Sequence, residues 1–207
     1  ALPAVVEEYM DKVNSRLGTD YKLFNYYGDP DAETVMVAMG SICDAAEEVV
    51  DYMRAKGEKV GLVKVRLYRP FVTDRFVASI PATAKNIVVM DRCKEPSAIG
   101  EPLYQDVVTA LAAEKRDGLR VVGGRYGLGS KDTTPGGILS AFRNSQSEEP
   151  VSSFTINIVD DVTNRSLRRN LMWPMRVLLP ASSGAWVAMA PWVPIRTLSR
   201  LSVITPT

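Results

Sequence analysis

Apolar positions at helical spacing open the chain. Val5, Val6, Tyr9, Met10, Val13 and Leu17 follow Pro3, and Gly18 then stops the pattern, so residues 3–17 read as an amphipathic helix. Tyr21 to Gly28 is short, aromatic and irregular, ending in the turn-like Gly28-Asp29-Pro30-Asp31. Thr34 to Met39 is a continuous apolar run of strand length, the pattern of a strand covered on both faces. Gly40-Ser41 follows, and Ser41 with Asp44 has the spacing of a capping box for a helix reaching Lys56, with Gly57 as its stop. The next strand spans Val60 to Tyr68 and ends at Arg69-Pro70. Strand, turn, helix and strand in this order form a βαβ unit, which implies a right-handed crossover and a parallel pair.

The alternation continues. Residues 73–79 read as a short helix, Asn86 to Met90 as a buried strand, and Glu101 to Lys115 as a helix with Leu103, Val107, Val108 and Leu111 inward. Arg120 to Gly123 is a short strand and Gly124 to Asp132 a glycine-rich loop. Thr134-Pro135 opens a helix to about Arg143, Asn144 to Val151 is a polar linker, and Phe154 to Val159 is the last strand. The fold class is therefore α/β: an open, mostly parallel sheet with helices on both faces, preceded by one helix.

Composition narrows the chemistry. The 207 residues hold 25 Lys and Arg against 24 Asp and Glu, a formal charge of +1, so no basic excess points to nucleic acid. There is no histidine, which removes His-based triads, His general bases and His-ligated metals. Cys43 and Cys93 are fifty residues apart and form no C-x-x-C pair; two separated thiols suit a reducing cytoplasm. Glu7, Glu8, Asp11 and Asp20 interrupt the first twenty residues, unlike a secretion signal, and no run of eighteen apolar residues suggests a membrane span. Ala1 in place of an initiator methionine suits a piece of a longer protein.

Several segments invite chemistry, each with a structural alternative. Gly123-Gly124-Arg125-Tyr126-Gly127-Leu128-Gly129-Ser130-Lys131 resembles a phosphate cradle, but Ser130 precedes Lys131, the reverse of the Walker order, and Asp132 stands where a Rossmann glycine belongs. Its amides would serve either as an anion nest or as a tight connector. Ser41 is an N-cap or a nucleophile, and no Gly-x-Ser-x-Gly or histidine supports the latter. Asp91-Arg92-Cys93-Lys94-Glu95-Pro96 follows a buried strand at the sheet edge where α/β folds place ligands, or is simply a solvated or interfacial loop. Arg92 and Lys94 beside Cys93 would lower its pKa. Asp160-Asp161 is a cation-binding pair or a linker. By composition and spacing, this is an α/β domain without its own active site.

These segments together resemble one family. Tyr21 to Gly28, Val37 to Ser41, Val63 to Phe71, Asp91-Arg92 with Lys94-Glu95-Pro96, and Gly100 to Tyr104 are similar to pyruvate:ferredoxin (or flavodoxin) oxidoreductase. Gly123 to Pro135 is the longest such stretch and Asp160 to Asn164 closes the resemblance, which covers roughly residues 1–167. The family is a large multidomain, homo-oligomeric cytoplasmic enzyme using thiamine diphosphate, Mg2+ and [4Fe–4S] clusters. It converts pyruvate and coenzyme A to acetyl-CoA and CO2 and passes electrons to ferredoxin or flavodoxin. The resemblance implies that residues 21–165 are its second domain, like the C-terminal domain of transketolases, with residues 1–20 as the helix leading in from a preceding domain. It implies that thiamine, pyruvate and cluster contacts come from other domains. No catalytic, cofactor-binding or metal-binding residue is therefore assigned here, and the partners are the other domains. Two alternatives stay open: a stand-alone anion- or nucleotide-binding module built on Gly123–Lys131, and the same domain of another 2-oxoacid:acceptor oxidoreductase.

Residues 166–207 break the pattern. They contain no Asp, Glu or Lys, yet five Arg, five Pro and all three Trp; the rest of the chain holds 20 basic and 24 acidic residues, a net −4. A docking arm is one explanation, and a membrane anchor is opposed by Pro191 and Pro194. A third is translation out of frame between Arg165 and Arg176. Read from the third base of each codon, Trp186-Val187, Met189-Ala190 and Trp192-Val193 each encode glycine, whatever the codon choice. That spacing resembles the stretch opening the family's next domain, which helps hold coenzyme A. Sequencing the encoding DNA across Asn164 to Trp186 is expected to show that motif in the shifted frame. A shifted frame closed by a stop codon before Trp186 would contradict it.

Overall fold

The computed structural model describes residues 2–159 and 162–167. A six-stranded sheet runs through them in the order β1-β3-β2-β4-β5-β6. Its strands are β1 (Phe24–Gly28), β2 (Thr34–Ala38), β3 (Val60–Val65), β4 (Asn86–Asp91), β5 (Arg120–Arg125) and β6 (Phe154–Thr155). The helices are α1 (Leu2–Leu17), α2 (Ile42–Arg54), α3 (Thr73–Ala78), α4 (Pro102–Ala113) and α5 (Pro135–Gln146). Every pair is parallel except β1 with β3.

The apolar runs explain the layering. Successive side chains of a strand point to opposite faces, so a strand covered on both sides is apolar throughout. All five residues of β2 are buried. Val35, Val37, Val63, Val65, Ile87 and Val89 share one core with Phe76 of α3 and with Leu103, Val107 and Leu111 of α4. The alternate residues Met36, Leu62, Val88 and Met90, also fully buried, turn to the face where α2 and α5 pack on the strands. Ile42, Val49, Val50 and Met53 of α2 and Ile138 and Phe142 of α5 complete that second core. Burying each such aliphatic or aromatic side chain contributes about 1.5–3 kcal/mol.

Several elements differ from the sequence reading. Residues 24–28 are not irregular: they form the edge strand β1, antiparallel to β3 with Phe24 opposite Val65. Their polar and aromatic alternation hides the strand, because Tyr26 and Tyr27 are only half-buried. Beyond it, Phe24, Phe71 and Phe76 pack their rings at centroid separations of 5.1–5.4 Å. The β3 strand stops at Val65, before Tyr68, while β5 runs on to Arg125 and β6 holds only two residues. Ser41 precedes α2 with helical backbone angles and makes no side-chain cap, so no capping box forms. Thr134 does cap α5, its Oγ1 accepting from Gly137 N at 3.2 Å, with Pro135 in the first turn. Val108 is 39% exposed, not inward.

Two glycines of β5 are set by close packing. Register places Gly124 opposite Phe154, and a Cβ built on Gly124 would lie 2.2 Å from that ring. One on Gly123 would lie 2.9 Å from the ring of Tyr104 in α4. Phe154 is fully buried and has no room to retreat. Gly124→Ala is expected to lower stability by about 1–3 kcal/mol, the range for overpacked cores, measured by urea unfolding. An unchanged midpoint would show that β6 is not seated as described.

Candidate functional site

Ligands of open α/β sheets gather beyond the carboxyl ends of the strands, where the strand order reverses. Here the chain moves from β2 to β3 on one side and to β4 on the other, so the reversal lies between β2 and β4. Met39-Gly40-Ser41 leaves β2 there, Asp91-Arg92-Cys93 leaves β4, and Tyr126-Gly127 leaves β5. The segments singled out in the sequence thus converge on one edge.

Tyr126 fills that crevice. It is 4% exposed, its N–H donates to Asp91 O at 3.0 Å, and its Oη donates to Met39 O at 3.2 Å. One residue therefore ties the ends of β5, β4 and β2, through its backbone to β4 and its side chain to β2. Burial pushes its phenol up to about 12, with Cys43 the next contributor, so it stays a neutral donor at physiological pH.

Asp91 faces inward, while Arg92, Lys94, Glu95 and Pro96 are exposed, as a solvated loop requires. Its side chain is buried and its two carboxylate oxygens accept from Leu103 N at 3.0 Å and Tyr104 N at 3.1 Å. These are first-turn amides of α4, which have no partner within the helix, and a carboxylate there also answers the helix dipole. Burial raises the Asp91 pKa, opposed by the two amides that stabilise its ionised form. Glu101, just before α4, pairs with Arg125 at the end of β5, their side chains only 6% and 14% exposed. Arg125 Nη1 also donates to Ser153 O at 2.9 Å. Removing one partner of such a pair costs about 3–5 kcal/mol, because the other charge stays buried. The sequence reading did not foresee this pair; the carboxylate before Pro102 and the arginine ending β5 meet only through the β4–β5 register.

The glycine-rich loop has its own structural reasons. Gly127 has φ +65°, and a Cβ there would sit 3.0 Å from Arg92 Nε, so Arg92 lies across it. Gly129 and Ser130 also have positive φ, at +59° and +56°, within a single 3-10 turn over Leu128–Ser130. Lys131 follows in extended backbone. Open grooves lie elsewhere, one of about 570 Å³ against α1 and one of about 430 Å³ between residues 20–30 and 78–81. Asp160-Asp161, and all but two residues of the segment 166–207, lie outside the described residues.

Comparison with known proteins decides the family. Residues 32–138 match the model for pyruvate:ferredoxin oxidoreductase core domain II. The chain belongs to that family. A pyruvate:ferredoxin oxidoreductase of Moorella thermoacetica is 51% identical over 167 residues, 81% of this chain and 14% of that protein. A pyruvate-flavodoxin oxidoreductase of Rhodospirillum rubrum is 51% identical over 174 residues, 81% of this chain and 15% of its length. The stretch of this chain that matches therefore spans about one-seventh of these curated relatives. Among solved structures, a split-gene transketolase overlaps 62% of this chain and 44% of its own, at 16% identity and a TM-score of 0.46.

The donors of core domain II do not fit an iron–sulfur cluster. Such a cluster takes four thiolates, and the chain has two cysteines. Among the described residues no three of His, Cys, Asp and Glu are grouped to hold a metal ion. No helix among them is long and apolar enough to cross a membrane. Cys93 also departs from expectation: burial, then Asp91, raises its pKa to about 11, and Arg125 opposes this only weakly. Arg92 and Lys94 adjoin it in sequence, yet carboxylates set its field. Cys43, in α2, is pushed up to about 12 by burial.

The thiolate is the reactive form of cysteine. A pKa raised from about 9 to about 11 leaves about a hundredfold less thiolate at pH 8. Iodoacetamide is expected to label Cys93 at least tenfold more slowly than free cysteine at pH 8. The rate should keep climbing towards pH 11, read by mass spectrometry. Rapid labelling with a plateau below pH 9 would contradict the buried carboxylate field.

Proposed function

We propose that this chain is a structural domain of a pyruvate:ferredoxin or flavodoxin oxidoreductase, a multidomain enzyme that oxidises pyruvate to acetyl-CoA and CO2. The observation carrying this reading is the match of residues 32–138 to core domain II, in a chain whose matched stretch makes up about one-seventh of its relatives. Residues 21–165 supply the domain, and residues 1–20 join it to a preceding one. Thiamine diphosphate, Mg2+, the [4Fe–4S] clusters, coenzyme A and the electron acceptor are held by other parts of the enzyme, which acts as a homo-oligomer in the cytoplasm.

The edge geometry supports a structural role for this piece. Tyr126 occupies the crevice, and Asp91, Glu101 and Arg125 spend their charge on the chain itself. Gly123, Gly124 and Gly127 lie against Tyr104, Phe154 and Arg92, which favours a tight connector over an anion nest. We read residues 166–207 as out-of-frame peptide, on the support of their composition and of matches that leave about a fifth of the chain uncovered.

The purified chain, given pyruvate, coenzyme A and methyl viologen, is expected to show no pyruvate-dependent reduction of the dye. The full-length enzyme is expected to turn over in the same assay. Turnover by the chain alone would overturn the reading.

A further inference from the structure

We propose that the outward ridge of α1, formed by Leu2, Val5, Tyr9 and Val13, seats an apolar helix from the part of the parent polypeptide outside residues 1–207. This inference rests on the function proposed above. No residue of α1 is fully buried. Leu2 is 54% exposed, Val5 46%, Tyr9 62% and Val13 39%. Their spacing of three and four residues puts them on one face of the helix.

The exposure does not come from a detached helix. Val6 and Met10 pack against the main core. Asn14 fastens the far end: its amide donates to Tyr21 O at 2.9 Å and its Oδ1 accepts from Tyr21 N at 2.7 Å and from Thr19 at 2.8 Å. Glu7 pairs with Arg75 of α3 at 3.5 Å. One side of α1 is thus pinned to the domain and the ridge is held outward. A sixteen-residue helix draws most of its stability from tertiary packing of its apolar face, and here half of that face meets water.

Beside the ridge runs the open groove of about 570 Å³. It is lined by Val5, Val6, Tyr9, Met10 and Val13 of α1 together with Tyr21 and Arg66. Arg66 is the only charged lining residue, and it is already engaged: its Nε donates to Asn25 Oδ1 at 2.7 Å and its guanidinium lies 4.6 Å from the centre of the Tyr21 ring. An apolar ridge with a groove alongside accepts a second helix by ridges-into-grooves packing, as in helix-in-groove recognition. A contiguous apolar patch on a soluble domain marks an interface. The relatives supply the occupant, since 85% or more of their length lies outside the matched stretch.

The test places the photo-crosslinker p-benzoylphenylalanine at position 9 of the full-length parent polypeptide. Illumination is expected to link it to a peptide outside residues 1–207 of the same polypeptide. A link to α1 of a second copy, or no link to protein at all, would overturn the proposal. A second variant guards against a misfolded probe. Val13→Lys should shift the melting temperature of the isolated chain by less than about 2 °C, as for an exposed position, while making the full-length polypeptide at least tenfold more sensitive to limited proteolysis. Equal proteolysis of variant and parent would overturn it. Absence of any longer reading frame around this chain would instead remove the proposed function itself, a separate and recognisable failure that takes the occupant with it.

Discussion

The parallel pairing of β2 with β4, buried on both faces, is the constraint from which the rest follows. Thr34 faces Asn86 and Val37 faces Val89, and along this seam no side chain can be left to water. Both faces must be covered, so α3 and α4 lie on one and α2 and α5 on the other. The same constraint brings the ends of β2, β4 and β5 to a single edge, and whatever occupies that edge decides between a ligand site and a sealed one. Tyr126 seals it.

The polar groups of the edge serve the fold in the same way. Asp91 ends its strand by holding the first amides of the next helix, and Glu101 and Arg125 neutralise each other where α4 begins and β5 ends. A buried carboxylate with two amide partners and a buried ion pair fix the relative position of β4, α4 and β5 with little tolerance. Buried charged groups are also what catalytic sites hold, yet each one here is explained by a partner within the domain.

The sheet was legible in the sequence because it is mostly parallel. Residues 35–38 and 87–90 are continuous apolar runs, Val60–Val65 is broken only by Gly61 and Lys64, and the Gly, Pro and Thr residues between the strands mark the turns. What escaped were features that depend on partners distant in the chain. The edge strand β1 shows only polar and aromatic alternation. Ser41 has the spacing of a cap but lies in helical backbone, so its hydroxyl has no route to the amides ahead. The Cys93 pKa follows burial, then Asp91 and Glu101, rather than the basic neighbours written beside it. The segment Asp91 to Pro96 was expected at the ligand edge of the sheet, but that Tyr126 would fill that edge depends on the carbonyl of Met39, eighty-seven residues away. No local pattern carries that information.

In the function proposed above, a domain built this way lends shape and contact surface to an enzyme whose reacting groups lie elsewhere. The most direct measurement of that claim is the turnover number of the full-length enzyme carrying Tyr126→Phe, which removes only the hydroxyl bonded to Met39. If the edge is structural, the folded fraction keeps a kcat and a KM for pyruvate within about threefold of the parent, a change of well under 1 kcal/mol in the barrier. A loss of a thousandfold or more in kcat by a fully folded variant would place chemistry at this edge and contradict the account.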